Sequence, residues 1–160
     1  MQSMTLQDAV KDFLAHRRIA VAGVSRDGKQ QPANAIYRKL KAAGYEVFAI
    51  NPNSTTVEGD PCYPNLESVP GGVDGVVAAT PPAGTEQLVR ECADLGIQRL
   101  WMHRGIGAGS VSEEAVEEAR QRGVRVIPGA CPMMFVPPVD PFHACLRGVK
   151  RMTGNLPEPV

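Results

Sequence analysis

Between Arg17 and Asn53 the chain reads RRIAVAGVSRDGKQQPANAIYRKLKAAGYEVFAINPN, and no other stretch restricts the fold as strongly. A short apolar run from Ile19 to Val24 leads into a polar loop, a helix-patterned segment and a second apolar run from Tyr45 to Ile50. Two parallel strands need a crossover of a dozen or more residues, and such crossovers are right-handed, so this pattern predicts a β-α-β unit with adjacent strands. Both carboxyl ends then open on one crevice. Gly23 lets backbone approach a ligand there, Ser25 offers a hydroxyl, and the helix beginning near Ala33 aims N–H groups and its positive dipole end at the same point. That combination suits a phosphate. The spacing from Gly23 to Gly28 is neither G-x-G-x-x-G nor a P-loop, since Gln30 follows Lys29.

The same rhythm recurs downstream. Val73 to Ala79 reads as a buried strand, Ala83 to Leu95 as a helix stopped by Gly96, and Ile97 to Met102 as a strand. Ser112 is placed to cap a helix with Glu113 and Glu114 in its first turn; that helix stops at Gly123, and Val124 to Ile127 forms the last strand. Strands alternating with long helices predict a doubly wound, Rossmann-like α/β sheet, mainly parallel, of about five main strands with helices on both faces. Between them, NSTTVEGDPCYPNLESVPGG is polar and proline-rich, with short extended pieces at Val57 and at Cys62 to Tyr63. An amphipathic helix beginning at Thr5 carries Leu6, Ala9, Val10, Phe13 and Leu14 on one face and is expected at the sheet edge. DPFHACLRGVKRM reads as a C-terminal helix, followed by a loose GNLPEPV tail. The expected organisation is one domain over 1–160: a helix in 1–16, a core in 17–134, and a helix and tail in 135–160.

With 43% hydrophobic and 21% charged residues and a formal charge of zero, nothing suggests disorder, a membrane span or a nucleic-acid partner. MQSMTLQDAVKDF lacks the layout of a signal peptide, and Cys62, Cys92, Cys131 and Cys145 lack metal or redox-dithiol spacing. A cytoplasmic protein with reduced thiols and no metal is expected.

Ligands in such folds bind at the carboxyl ends of the strands. Where an NAD site places an acid, after the second strand, this chain has Asn51-Pro52-Asn53. That argues against NAD and is compatible with a nucleotide bearing an extra ribose phosphate. Among nearby cations, Arg26 and Arg38 are the better ligand candidates, while Lys39 and Lys41 read as a solvated helix face. His103 and Cys131 fall at strand ends and could form a nucleophile pair, but no third orienting group is identifiable in the sequence. His16 and His143 lie on terminal helices. The RGIGAGS loop from Arg104 to Ser110 repeats the anion-site logic but reads better as a rim that turns the chain.

The order GVS, N-x-x-x-R-x-L-x-x-x-GY-x-V-x-x-INPN, V-x-G-x-x-CYPNLESVP, VDGVV, a strand ending WM, and ACP resembles the small CoA-binding proteins. These are similar to the nucleotide-binding domain of the succinyl-CoA synthetase α subunit, and the likeness covers about Arg17 to Met134. It implies that Gly23, Val24, Ser25 and Arg26 line the pyrophosphate of coenzyme A, with Asn34 and Ala35 at the helix start. It also implies that Arg38 faces the phosphorylated ribose or pyrophosphate and that Asn51, Pro52 and Asn53 border the nucleotide. Thr80, Pro81 and Pro82 correspond to the loop that runs along the ligand, where many small relatives carry a basic sequence instead. The domain holding the phosphorylated histidine and the ATP-grasp portion are not matched, so no thioester chemistry carries over. The expected function is non-covalent binding of CoA or an acyl-CoA, as sensor, carrier or regulator. The alternatives are an NAD(P)-dependent oxidoreductase, an acyl-CoA-handling enzyme using His103 or Cys131, or a module of a larger synthetase-like assembly. Cys131 reads either as a buried, inert thiol or as one that could form a mixed disulfide with the CoA thiol under oxidation. The apolar terminal helices could serve a homodimer.

Overall fold

A computed structural model of the chain describes residues 4–104, 109–154 and 157–160. Helix α1 (Leu6–Leu14) starts at a reciprocal cap, in which the Thr5 hydroxyl accepts from the Asp8 N–H and the Asp8 carboxylate accepts from the Thr5 N–H. Strand β1 (Arg18–Ala22), helix α2 (Pro32–Ala42) and strand β2 (Glu46–Ile50) are the opening β-α-β unit. β1 and β2 pair in parallel, with Arg18 opposite Glu46 and Ala22 opposite Ile50.

The proline-rich passage folds as a hairpin of β3 (Thr56–Val57) and β4 (Asp60–Tyr63), and β4 adds in parallel to β2. Its turn holds Glu58 and Gly59 at φ 55° and 78°, the positive-φ pair that two-residue hairpins require. Beyond it come β5 (Gly75–Ala78), α3 (Pro82–Leu95), β6 (Arg99–His103), α4 (Glu113–Arg122), β7 (Arg125–Ala130) and α5 (Pro141–Met152). The sheet order is β3-β4-β2-β1-β5-β6-β7, parallel throughout except between β3 and β4. The expected doubly wound sheet is present, with the hairpin extending it at one side.

Period-two alternation along the strands divides the core. Ile19, Val21, Val77, Trp101 and Ile127 bury against Phe13 of α1 and Ile36, Tyr37 and Leu40 of α2. Ala20, Ala22, Val76, Leu100 and Met102 bury on the other face against Leu88, Val89 and Cys92 of α3 and Ala115 and Ala119 of α4. α1 lies against β7 at the sheet edge, as the sequence suggests, with Asp12 3.7 Å from Arg125, and its Phe13 reaches inward to pack edge-on against Trp101 of β6, with ring centres 5.4 Å apart. Removing such a buried aromatic costs about 3–5 kcal/mol. Asp12 of the same helix pairs with Arg99 at 2.8 Å, which holds its carboxyl below the ordinary carboxylate range.

Two elements run further than the sequence suggests. β7 continues past Ile127 through Pro128 and Gly129 to Ala130, because it lies at the end of the sheet order, where a proline forfeits no ladder bond. A register shift lets Met102 face Pro128 and His103 face Ala130. The tail is not wholly loose either: Val160 exchanges two backbone hydrogen bonds with Val126, at 2.8 and 2.9 Å. No helix among the described residues is long and apolar enough to cross a membrane.

Candidate functional site

α2 and α3 leave the sheet toward opposite faces, although their parent strands β1 and β5 are neighbours, so a crevice opens where the two strands end. Gly23 closes the first strand at φ 97°, and a Cβ there would sit 2.3 Å from the Ala79 carbonyl oxygen after β5. No side chain fits between these backbones. Val24 is buried beneath the loop, which leaves only its backbone available to the crevice, and Ser25 is half-buried beside it.

The loop is held from below by Asn34. Its Oδ1 accepts from the Ser25 N–H at 2.8 Å, and its Nδ2 donates to the Ser25 carbonyl and to Glu58 Oε1, each at 2.8 Å. Asn34 is fully buried, so this predicted ligand contact braces the loop with its side chain. Gly28 is required by the same packing, because a Cβ would lie 1.9 Å from Asn34 Nδ2. Ala35, one residue on, is half-buried and lines the crevice.

Arg38 borders the crevice, exposed, with its guanidinium 2.7 Å from Glu58 Oε1. Lys29 lines the same wall, whereas Arg26 is exposed on the loop and lines no described cavity. Lys39 donates to the Pro138 carbonyl and Lys41 pairs with Asp60 at 2.5 Å, so neither is a merely solvated charge. On the other flank, Asn51 donates to the Val24 carbonyl at 2.8 Å and accepts from the Asn53 N–H at 2.8 Å, fastening the end of β2 to the first loop. Asn51 and Pro52 line a cavity of about 260 Å³ with Gly23 and Thr80, and Asn53 is exposed beside it.

The helix ends differ in a consistent way. Side chains cap α1, α4 and α5 through Thr5, Ser112 and Asp140. The two helices that follow the adjacent strands β1 and β5 have none: α2 follows Gln31 and α3 follows Pro81, each with proline in the first turn, no capping side chain and no acid there. Thr80 is tied inward through Thr85, whose hydroxyl donates to the Ser110 carbonyl at 2.7 Å; Pro81 and Pro82 are exposed at the crevice mouth.

The larger cavity, about 600 Å³, runs from Lys29, Ala35 and Arg38 past Thr80 and Pro81 to His103, Cys131, Met133 and His143. His103 and Cys131 therefore do share a crevice. Burial pushes the Cys131 thiol up and, together with the charges of Lys150 and His143, pushes His103 down to about 4. A protonated thiol and a weak base make a poor nucleophile pair. The carboxylate absent from the sequence reading is present on His143, whose Nδ1 lies 2.6 Å from Asp140 Oδ2. The sequence marks the helix that carries both only as terminal. Glu58 was also missed, although V-E-G-D is a hairpin-turn signature that would bring its side chain back toward the loop. The glycine-rich loop lies, over 105–108, outside the described residues. Among the described residues no group of three or more His, Cys, Asp or Glu side chains could hold a metal ion.

Comparison with known proteins bears on this geometry. A family model described as "CoA binding domain" matches residues 17–137. The α subunit of acetate–CoA ligase (ADP-forming) II from Pyrococcus furiosus is 29% identical over 127 residues, 74% of this chain and 27% of the subunit. Acetate–CoA ligase (ADP-forming) I from Archaeoglobus fulgidus is 28% identical over 120 residues, 71% of this chain and 17% of the ligase. The chain thus spans less than a third of the length of these curated relatives. A solved structure of a conserved hypothetical protein from Pyrococcus furiosus is 32% identical, with a TM-score of 0.61 over 69% of this chain and 90% of that one.

Proposed function

We propose, from the premise that the chain belongs to the CoA binding domain family, that it binds coenzyme A non-covalently across the crevice between the N-termini of α2 and α3. The observation that carries this reading is the capping pattern. α1, α4 and α5 spend a side chain on their first N–H groups, whereas α2 and α3, which follow the adjacent strands β1 and β5, carry no capping side chain and leave first-turn N–H groups for a ligand. An anion at such an end gains hydrogen bonds and the favourable dipole together. The pyrophosphate is assigned to the backbone from Gly23 to Arg26, between Ala35 on one side and Thr80, Pro81 and Pro82 on the other. The nucleotide is assigned to the smaller cavity beside Asn51, Pro52 and Asn53, and the pantetheine arm to the larger one. Arg38 serves the ribose phosphate or the pyrophosphate, and Asn34 acts through the loop it holds.

The role assigned is that of a sensor, carrier or regulator without turnover of its own, because the crevice offers a depressed histidine and a protonated thiol. One observation favours a second reading, in which the chain acts as a module of a larger assembly: the ligases named above resemble it over only a fraction of their length. Co-purification with a synthetase-like partner would support that reading, and it uses the same site.

The test is a thermal-shift titration with CoA, dephospho-CoA, NAD and NADP. A ligand selective for the folded state adds about 2.7 kcal/mol at a hundredfold excess over its dissociation constant. A shift with CoA that weakens with dephospho-CoA is expected. A shift with NAD or NADP alone would refute the assignment and favour an oxidoreductase.

A further inference from the structure

His103 is the last residue of β6, and it stands two strands beyond β1 in the sheet order, about 10 Å along the crevice from the first loop at ordinary strand spacing. Its side chain lines the larger cavity, the residue is only 9% exposed, and its ring makes no hydrogen bond within the described chain. No buried side-chain nitrogen or oxygen of the described residues is left without a partner, so the unbonded ring nitrogens are not sealed in the core but stay open to the cavity, where a ligand can reach them. Neighbouring polar groups are occupied otherwise: the Trp101 indole donates to the Ala130 carbonyl at 3.1 Å, and His143 is engaged by Asp140 at 2.6 Å. The imidazole is neutral at physiological pH, held so by burial and by the charges of Lys150 and His143, so it presents one N–H and one lone pair. Around it the cavity wall is largely apolar, formed by Ala79, Met133 and Leu146 with Phe142 at the outer side.

A neutral donor in an apolar recess matches a neutral acceptor carrying a small apolar group. We propose that this recess receives the acyl group of a CoA thioester, with the His103 N–H donating to the thioester carbonyl oxygen and the acyl chain lying against Met133 and Leu146. The inference rests on the CoA reading above and adds the cargo and the residue that senses it. No bond is made or broken; the thioester is recognised as such. Free CoA brings a thiol to the same place, which accepts a hydrogen bond weakly and leaves the histidine poorly satisfied.

The experiment is isothermal titration calorimetry of the full chain with CoA and acetyl-CoA, repeated for His103→Leu and His103→Gln. The native chain is expected to bind acetyl-CoA about 5- to 10-fold more tightly than CoA, the range of one neutral hydrogen bond. The ratio falls to about one in His103→Leu and is retained at least in part in His103→Gln, which keeps an N–H donor. Imidazole ¹⁵N spectra of the native chain supply a measurement that needs no variant: acetyl-CoA shifts the His103 resonances more than CoA does. Equal affinities in the native chain, a ratio unchanged in His103→Leu, or His103 resonances indifferent to the acyl group each overturn the proposal while leaving CoA binding intact. No binding of either ligand overturns it together with the reading on which it rests.

Discussion

Arg38 and Glu58 form an ion pair at 2.7 Å that joins the exposed side of α2 to the turn of the β3–β4 hairpin, and the same Glu58 oxygen accepts from Asn34. Both partners have substantial solvent access, so the pair contributes at most about 1 kcal/mol. A phosphate arriving at the crevice can draw Arg38 away at little cost. Glu58→Gln retains an oxygen for Asn34 and removes the competing charge. Its expected effect is tighter CoA binding, by about 2- to 5-fold at low salt, with the gain reduced at high salt. Arg38→Ala is expected to weaken CoA binding by about tenfold and to erase the difference between CoA and dephospho-CoA. Calorimetry at two ionic strengths checks both; an Arg38→Ala variant that binds more weakly yet still distinguishes the two ligands would move Arg38 from the ribose phosphate to the pyrophosphate, and one that binds both as before would remove it from the site.

Asn34 should matter for stability before it matters for binding. Asn34→Ala strands the Ser25 N–H and carbonyl beneath the loop, and leaving buried polar groups unpaired costs about 1–3 kcal/mol. A urea melt should show that loss, and the variant should bind CoA more weakly although its side chain touches no ligand. Unchanged stability would mean that the loop holds its shape without the amide.

At Gly23 two penalties add. Gly23→Ala places a methyl group 2.3 Å from the Ala79 carbonyl oxygen at a backbone φ of 97°. Strained backbone alone costs about 1–3 kcal/mol, so a loss of at least about 2 kcal/mol is expected in equilibrium unfolding. A fall below 0.5 kcal/mol, on the order of an inconsequential surface change, would mean that β1 and β5 separate easily there.

His103 links stability to pH with a definite sign. Its folded pKa, about 4, lies below the ordinary value of 6.5, so the unfolded chain takes up the proton first as pH falls. Stability is therefore complete above pH 6.5, declines between 6.5 and about 4, and levels off below. The limiting loss is on the order of 3 kcal/mol. Lys150 and His143, facing the ring from α5, act in the same direction as burial. Denaturant melts from pH 7 to 4.5 on the native chain and His103→Gln should show a shallower decline in the variant. Parallel curves would assign the acid sensitivity to other groups.

What could be read from the sequence depended on the range of the interaction. The β-α-β unit, the helix stops at Gly96 and Gly123 and the cap at Ser112 are local signals, and all of them appear. Residues 128–130 did not read as strand because Pro-Gly ordinarily interrupts a ladder; only the position of β7 at the end of the sheet makes the pair tolerable. Within the site, Gly23 and the helix ends were legible as anion chemistry. The work of Asn34 was not, since its partners Ser25 and Glu58 lie 9 and 24 residues away, and only the fold brings them together. The stretch from Asp140 to His143 read as the start of a helix, with nothing to indicate that α5 would lay it along the crevice.

The clasp beneath the first loop also has a kinetic meaning. Ser25 is tied on both its N–H and its carbonyl, Val24 is tied to Asn51, and Gly23 is pressed against Ala79, so the loop is already in the shape that an incoming pyrophosphate would need. Capture then requires an encounter and no rearrangement of the loop backbone. In stopped-flow mixing, the observed association rate of CoA should climb in a straight line with its concentration, without the plateau that a slow closing step imposes.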